Sequence, residues 1–155
     1  MDWERGIWFA ASSGDEKRVE SLISKSKNPR EVVTAVDNSG YTALHYAARN
    51  GYLEICQCLV KNGAIIDAVT KSGKATPLQR AATAGKIDVV VYLIEAGANP
   101  LLQDADGKTA LHRAVESGNL PIIQKLVQAC PELLEMKDSK GCIMKDIIPE
   151  LKMKL

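Results

Sequence analysis

Gly40-Tyr-Thr-Ala-Leu-His-Tyr-Ala-Ala-Arg-Asn-Gly51 decides the fold, because the chain says almost the same thing twice more. Lys74-Ala-Thr-Pro-Leu-Gln-Arg-Ala-Ala-Thr-Ala-Gly85 is a second copy, and Gly107-Lys-Thr-Ala-Leu-His-Arg-Ala-Val-Glu-Ser-Gly118 is a third. Thr42 and Thr76 stand 34 positions apart, and Thr76 and Thr109 stand 33 apart. Such a period means a stack of supersecondary units rather than one interwoven core. Each copy reads as a helix. Its threonine can cap the N-terminus, Pro77 suits a first helical position, and the closing glycine permits a left-handed turn.

Working outward, every copy is followed by a second amphipathic stretch. Ile55, Cys56, Leu59 and Val60 recur as Val89, Val90, Leu93 and Ile94, and again as Ile122, Ile123, Leu126 and Val127. Adjacent apolar pairs four apart lie on one buried helical face. Residues 4–26 form a modified first unit, with Ile7-Trp-Phe-Ala-Ala-Ser-Ser-Gly14 in the register of Leu44 to Gly51 and Trp8 in the slot of His45. Its second helix carries Arg18, Val19, Leu22 and Ile23, so one apolar position has become charged. A terminal unit with a solvent-facing side is expected to look like this. Trp3 is placed over this cap, where it either shields core or extends a groove.

The connection from Lys27 to Asp37, with Asn28-Pro29, is open to two readings: an extra helical turn or a loose loop. The third unit departs from the pattern in two places. Its turn, Thr70 to Thr76, is one residue longer, with Lys74 where the other copies have glycine, and Gln79 replaces the histidine. Cys130-Pro131 stops the last outer helix. The tail repeats Asp138-Ser-Lys-Gly141 and then Asp146-Ile-Ile-Pro149, a shortened fifth unit with Lys145 where the core leucine belongs.

The pattern Gly-x-Thr-Pro-Leu-His-x-Ala-Ala, three times in register, resembles the ankyrin repeat. The resemblance implies an all-α ankyrin-repeat solenoid with β-turn fingers, built of three full repeats (37–69, 70–103, 104–136), an N-terminal cap (1–36) and a C-terminal capping segment (137–155). It also implies that the histidine ties one turn to the next by side-chain hydrogen bonds, and that the protein binds other proteins.

Composition agrees with a binding module of this kind. The chain has 155 residues, 20 basic and 19 acidic side chains and a formal charge of +1, which argues against bulk electrostatic binding of nucleic acid or membrane. No apolar run approaches the roughly 18 residues that span a bilayer. The start lacks a signal-peptide layout, and four cysteines without metal-ligand spacing suit a reducing, intracellular compartment, cytoplasmic or nuclear.

No catalytic, cofactor or metal site is expected. His45 and His112 occupy the same place in two repeats, which marks a structural task. Asp104 and Asp106 precede a glycine turn and suit Asx-turn formation, and the rest of a calcium-loop ligand series is missing.

In the fold that the resemblance implies, the fingers and the outward side of each inner helix line a concave face. The candidate partner-binding residues there are Phe9, Tyr41, Tyr46, Arg49, Lys74, Arg80, Lys108, Arg113 and Glu116. Phe9, Tyr46, Arg80 and Arg113 share one slot, so the face runs from aromatic at the N-terminal end to basic in the middle and C-terminal end. Phe9 and Tyr46 can equally be read as packing against the finger. Tyrosine and arginine are enriched among interface hot spots. The expectation is a monomeric, non-enzymatic adaptor whose partner protein or peptide carries an apolar anchor followed by acidic residues. The alternative is a structural subunit that uses its outer helices or caps.

Overall fold

Thr42, Thr76 and Thr109 each sit in extended backbone with a side chain that accepts from the amide three residues on, and that third residue bonds back to the threonine amide. These reciprocal capping boxes satisfy donors that a helix start otherwise leaves orphaned. They open α4 (Ala43–Asn50), α6 (Pro77–Ala84) and α8 (Ala110–Glu116). In the computed structural model, which describes the backbone of residues 2–148 and the side chains of 6–148, these helices and α1 (Asp2–Ser13) pack side by side as an inner row. The outer row is α2 (Glu16–Ser24), α5 (Leu53–Lys61), α7 (Ile87–Glu95) and α9 (Leu120–Ala129). Trp3 as a cap side chain, and 149–155 of the C-terminal segment, lie outside the described residues.

The core is a continuous band between the two rows. Ala10, Ala11, Ala47, Ala48, Ala81 and Ala82 are fully buried, and these small side chains let neighbouring inner helices approach closely. From the outer row come Ile55, Cys56 and Leu59, then Val89, Val90 and Leu93, then Ile122, Ile123, Leu126 and Val127. Val60 and Ile94 are only half-buried against it. In the first unit Val19 and Ile23 are buried while Arg18 is exposed, as a cap requires.

The connection after α2 is a helix, α3 (Pro29–Thr34). Asn28 caps it, Pro29 takes its first turn, and Val32 and Val33 join the core. At the other end Pro131–Glu135 forms a 3-10 turn that buries Leu133, and α10 (Met144–Ile147) closes the described stack. The core position of the tail is filled by Met144, whereas Lys145 reaches outward and pairs with Glu135 at 2.7 Å.

Between units the chain makes four fingers, over 37–42, 70–76, 104–109 and 138–143. No β-strand forms among the described residues, but each finger after the first donates one amide to its predecessor. Lys71 N bonds Ser39 O at 3.0 Å, Ala105 N bonds Gly73 O at 2.9 Å, and Ser139 N bonds Asp106 O at 3.0 Å. This close approach explains two glycines. A Cβ on Gly40 would lie 2.7 Å from Lys71 N, and one on Gly107 would lie 2.6 Å from Ser139 N, both at positive φ. Lys74 stands at the same place in the longer second finger with φ 49°, the one non-glycine residue there with positive φ.

A second strap runs from inner helix to next finger through one repeated slot. Trp8 Nε1 donates to Ala35 O at 3.1 Å and His45 Nε2 to Ala75 O at 2.9 Å. Gln79 Nε2 donates to Leu102 O at 2.9 Å and Lys108 O at 3.2 Å, while His112 Nε2 reaches Cys142 O at 3.5 Å. Glutamine therefore spans to the following finger as histidine does, and adds a second acceptor.

Candidate partner-binding surface

The inner helices and fingers bring four of the candidate residues together. Tyr46, on the open side of α4, is half-buried, and its hydroxyl donates to Asp37 at the head of the first finger. Burial and then the hydrogen bond to that carboxylate push the Tyr46 phenol up to about 12, so it remains a donor throughout the neutral range. Tyr41 of the same finger lies with its ring 5.3 Å from that of Tyr46. Arg49 covers the outer face of Tyr46 at 5.2 Å, and Arg80 covers Tyr41 at 5.1 Å. Arg80 Nη2 also donates to the Tyr41 hydroxyl. The result is a ladder, Arg49–Tyr46–Tyr41–Arg80, in which two rings are capped at each end by a guanidinium.

Beyond Arg80 the surface changes character. Arg113 donates through Nε and Nη2 to Asp104 Oδ2 at 2.9 and 2.6 Å, through Nη2 to Asp106 at 3.1 Å, and through Nη1 to Glu116 at 3.0 Å. Lys108 donates to Glu116 as well. Two cations thus face three carboxylates. Burial alone would lower the Arg113 pKa, but its bonds to Asp104 and Glu116 outweigh burial and hold it up. Burial likewise works to raise Glu116, and Lys108 and Arg113 overcome it to hold the carboxyl below its usual range. The basic character expected to continue to the C-terminal end is therefore confined to the middle, because Asp104 and Asp106 fold over α8 and offset it.

The two readings open for Phe9 and Tyr46 separate. Tyr46 packs against its finger, whereas Phe9 is 72 % exposed on α1. Lys74 is exposed at the tip of the second finger, outside both clusters. Reasoning from pattern passed over Val36 and Val69, each the residue before a finger and about half exposed (52 and 50 %). Their signal was present, since they hold the same repeat position as Gln103 and Lys137. It also passed over Asp37, Asp104 and Asp138 as a series heading three fingers. Asp104 does build the Asx turn, with Oδ1 accepting Asp106 N at 2.9 Å and Lys108 N at 3.0 Å, and its other oxygen takes Arg113.

Two clefts flank Arg80. One, of about 360 Å³, lies between the first and second fingers and is lined by Asn38, Tyr41, Lys71 and Arg80 among others. The other, of about 190 Å³, lies towards the third finger between Gly73, Gln79, Arg80 and Asp104. Among the described residues no group of three or more His, Cys, Asp or Glu side chains is placed to hold a metal ion, and no helix is long and apolar enough to cross a membrane. The cysteines are unpaired, and burial pushes the Cys56 thiol up to about 12, where it is inert.

Comparison with known proteins gives two family matches, described as "Ankyrin repeats (3 copies)" over residues 6–70 and "Ankyrin repeats (many copies)" over 78–127. Ankyrin repeat domain-containing protein 39 of Homo sapiens is 53% identical over 70 residues, covering 45% of this chain and 36% of that protein. Rabankyrin-5 of Homo sapiens is 34% identical over 137 residues, 81% of this chain and 12% of its own length. Palmitoyltransferase Hip14 of Drosophila melanogaster is 35% identical over 103 residues, 66% of this chain and 16% of that protein. The matched segment is thus about a third of the first relative and a small fraction of the other two.

Proposed function

The chain belongs to the ankyrin repeat family, whose members are protein-interaction modules, and on that premise we propose that it is a non-enzymatic adaptor taking a partner protein or peptide across its concave face. The observation that carries this is the Arg49–Tyr46–Tyr41–Arg80 ladder, which puts two aromatic rings and two guanidinium groups on one open surface. Such side chains give large contact area at small conformational cost and dominate measured interface energies.

The distribution of exposed apolar side chains favours the same face over the outer helices. Phe9 is on an inner helix, and Val36 and Val69 flank the fingers. Among the described residues the outer helices leave only Leu120 largely exposed, at the first position of α9, while Ile65 in the loop after α5 and Ile147 on α10 belong to neither surface. A partner with an apolar anchor near Phe9 and the first two fingers, and acidic residues towards Arg80 and Lys74, fits this layout. We place the protein in a reducing, intracellular compartment on its four unpaired cysteines and take it to act as a monomer.

The test is quantitative affinity capture with the whole chain and with a variant carrying Phe9→Ala, Arg49→Ala and Lys74→Gly. All three side chains lie at the surface without a hydrogen-bond partner in the core, and Lys74→Gly relieves a positive φ, so the variant is expected to melt no lower than the original. Partners lost from the variant, then confirmed with purified protein, support the concave face. Equal recovery by both forms moves binding to the outer helices or the caps.

A further inference from the structure

The repeat supplies an internal comparison for Arg80. In the neighbouring units the equivalent slot finds a carboxylate at the head of its own finger: Tyr46 donates to Asp37, and Arg113 makes a two-point bond to Asp104. In the third unit that head residue is Thr70, whose buried hydroxyl is already occupied by Ala75 N at 3.0 Å. Arg80 therefore has no carboxylate among its contacts. Its Nη2 leans on the Tyr41 hydroxyl, and its Nε is buried with no acceptor. A guanidinium held against an aromatic ring and short of acceptors is an open position for an anion.

We propose that Arg80 is the seat for one carboxylate side chain of an acidic partner segment lying across the first and second fingers. This deepens the concave-face reading and rests on it. The planar fork of arginine suits a carboxylate, and one repeat away Arg113 sets Nε and Nη2 on a single oxygen of Asp104. The cleft between the first two fingers brings Lys71 beside Arg80, and its lining contains no acidic side chain. Towards the fourth unit, by contrast, Asp104, Asp106 and Glu116 already occupy the cations. The acidic run is thereby confined to the middle of the groove, with the apolar end of the segment towards Phe9, Val36 and Val69.

The decisive variant supplies the missing acid within the chain. Thr70→Asp restores the residue that heads the other fingers, and it is expected to fold with a melting temperature at or above the original. The probe is a fluorescent synthetic peptide, one leucine followed by a run of glutamates, with an all-glutamine counterpart as control. Fluorescence anisotropy is expected to show binding of the glutamate peptide and about tenfold weaker binding by Thr70→Asp, equivalent to about 1.4 kcal/mol. Arg80→Gln is expected to lose a similar factor, which keeps the test sound if Thr70→Asp folds poorly. Equal affinity of the original, Thr70→Asp and Arg80→Gln, with binding lost in a Phe9→Ala, Arg49→Ala variant, overturns the Arg80 seat and leaves the concave face standing. Binding unchanged in every variant overturns both. Equal binding of the glutamine peptide, or no binding of either, overturns the carboxylate assignment.

Discussion

Mild acid is expected to destabilise the stack through one side chain. His45 is fully buried, its Nδ1 accepts the Thr42 amide at 3.1 Å and its Nε2 donates to Ala75 O at 2.9 Å. Protonating Nδ1 would set a new N–H against the Thr42 N–H, in a site from which water is excluded. Burial accordingly drives the His45 pKa below 6.5, with the bond to Ala75 opposing it only partly. The sign follows from proton counting. A histidine with a depressed native pKa leaves the unfolded chain binding more protons, so its contribution is complete above the unfolded value of 6.5 and is lost as the pH falls below it. If native His45 stays neutral throughout, the loss between about pH 7 and pH 5.5 approaches 1.3 kcal/mol, or about 2–5 °C in melting temperature for a domain of this size. The assay is thermal unfolding followed by circular dichroism across that range, for the original chain and for His45→Gln. Glutamine in this slot already spans the fingers at Gln79, so the variant is expected to fold and to show a shallower pH slope. His112 is present in both forms and cancels. Equal slopes in the two proteins would refute the assignment.

Three further perturbations separate other parts of the fold. Gly40→Ala sets a Cβ 2.7 Å from a backbone nitrogen at positive φ and is expected to cost about 2 kcal/mol or more in urea unfolding, while Lys74→Gly relieves φ 49° and is expected to be stabilising by up to about 1 kcal/mol. Asp104→Asn keeps the Asx turn but removes the charge that faces Arg113 in a site where the Asp104 side chain is 3% exposed, with an expected loss of about 1–3 kcal/mol on the same measurement. Val33→Ala is expected to cost about 2 kcal/mol, whereas truncation of exposed Glu31 on the same helix costs far less, and the pair tests whether α3 belongs to the core.

Period and cap chemistry are local properties, and they carried the helices. Thr42, Thr76 and Thr109 mark starts because a hydroxyl three residues from a free amide can bond it whatever the rest of the chain does. The segment with Asn28 and Pro29 was readable either way. Its six helical residues are too few for a period to show, and its helicity depends on burying Val32 and Val33 against units distant in sequence. The ion cluster around Arg113 was hidden for a similar reason. Asp104 and Arg113 are nine residues apart on different elements, and only the folding of the finger back over α8 makes them partners. Residue type identified Arg80, Tyr41 and Tyr46 as surface candidates, but their stacking is a contact between units and no spacing announces it.

In a repeat protein one unit serves as the control for another, and that bears on which departures carry function. The third unit breaks the pattern at Thr70, Lys74 and Gln79, and the loss of the finger-head carboxylate changes the setting of Arg80, which otherwise matches Arg113. The three departures are absorbed by the fold: Thr70 takes over the turn through Ala75 N, Lys74 fits the extra residue of the longer finger, and Gln79 straps to the next finger at two points. Each leaves its local hydrogen bonding complete. Arg80 does not, since it brings a cation into a slot from which the carboxylate has been withdrawn and leaves Nε buried without an acceptor. A cation whose only hydrogen-bond partner is a neutral hydroxyl forgoes the charge pairing that Arg113 enjoys one repeat away. The same residue stands at the edge of two clefts and at the end of the aromatic ladder. That combination is what motivates the proposed seat for an acidic partner side chain.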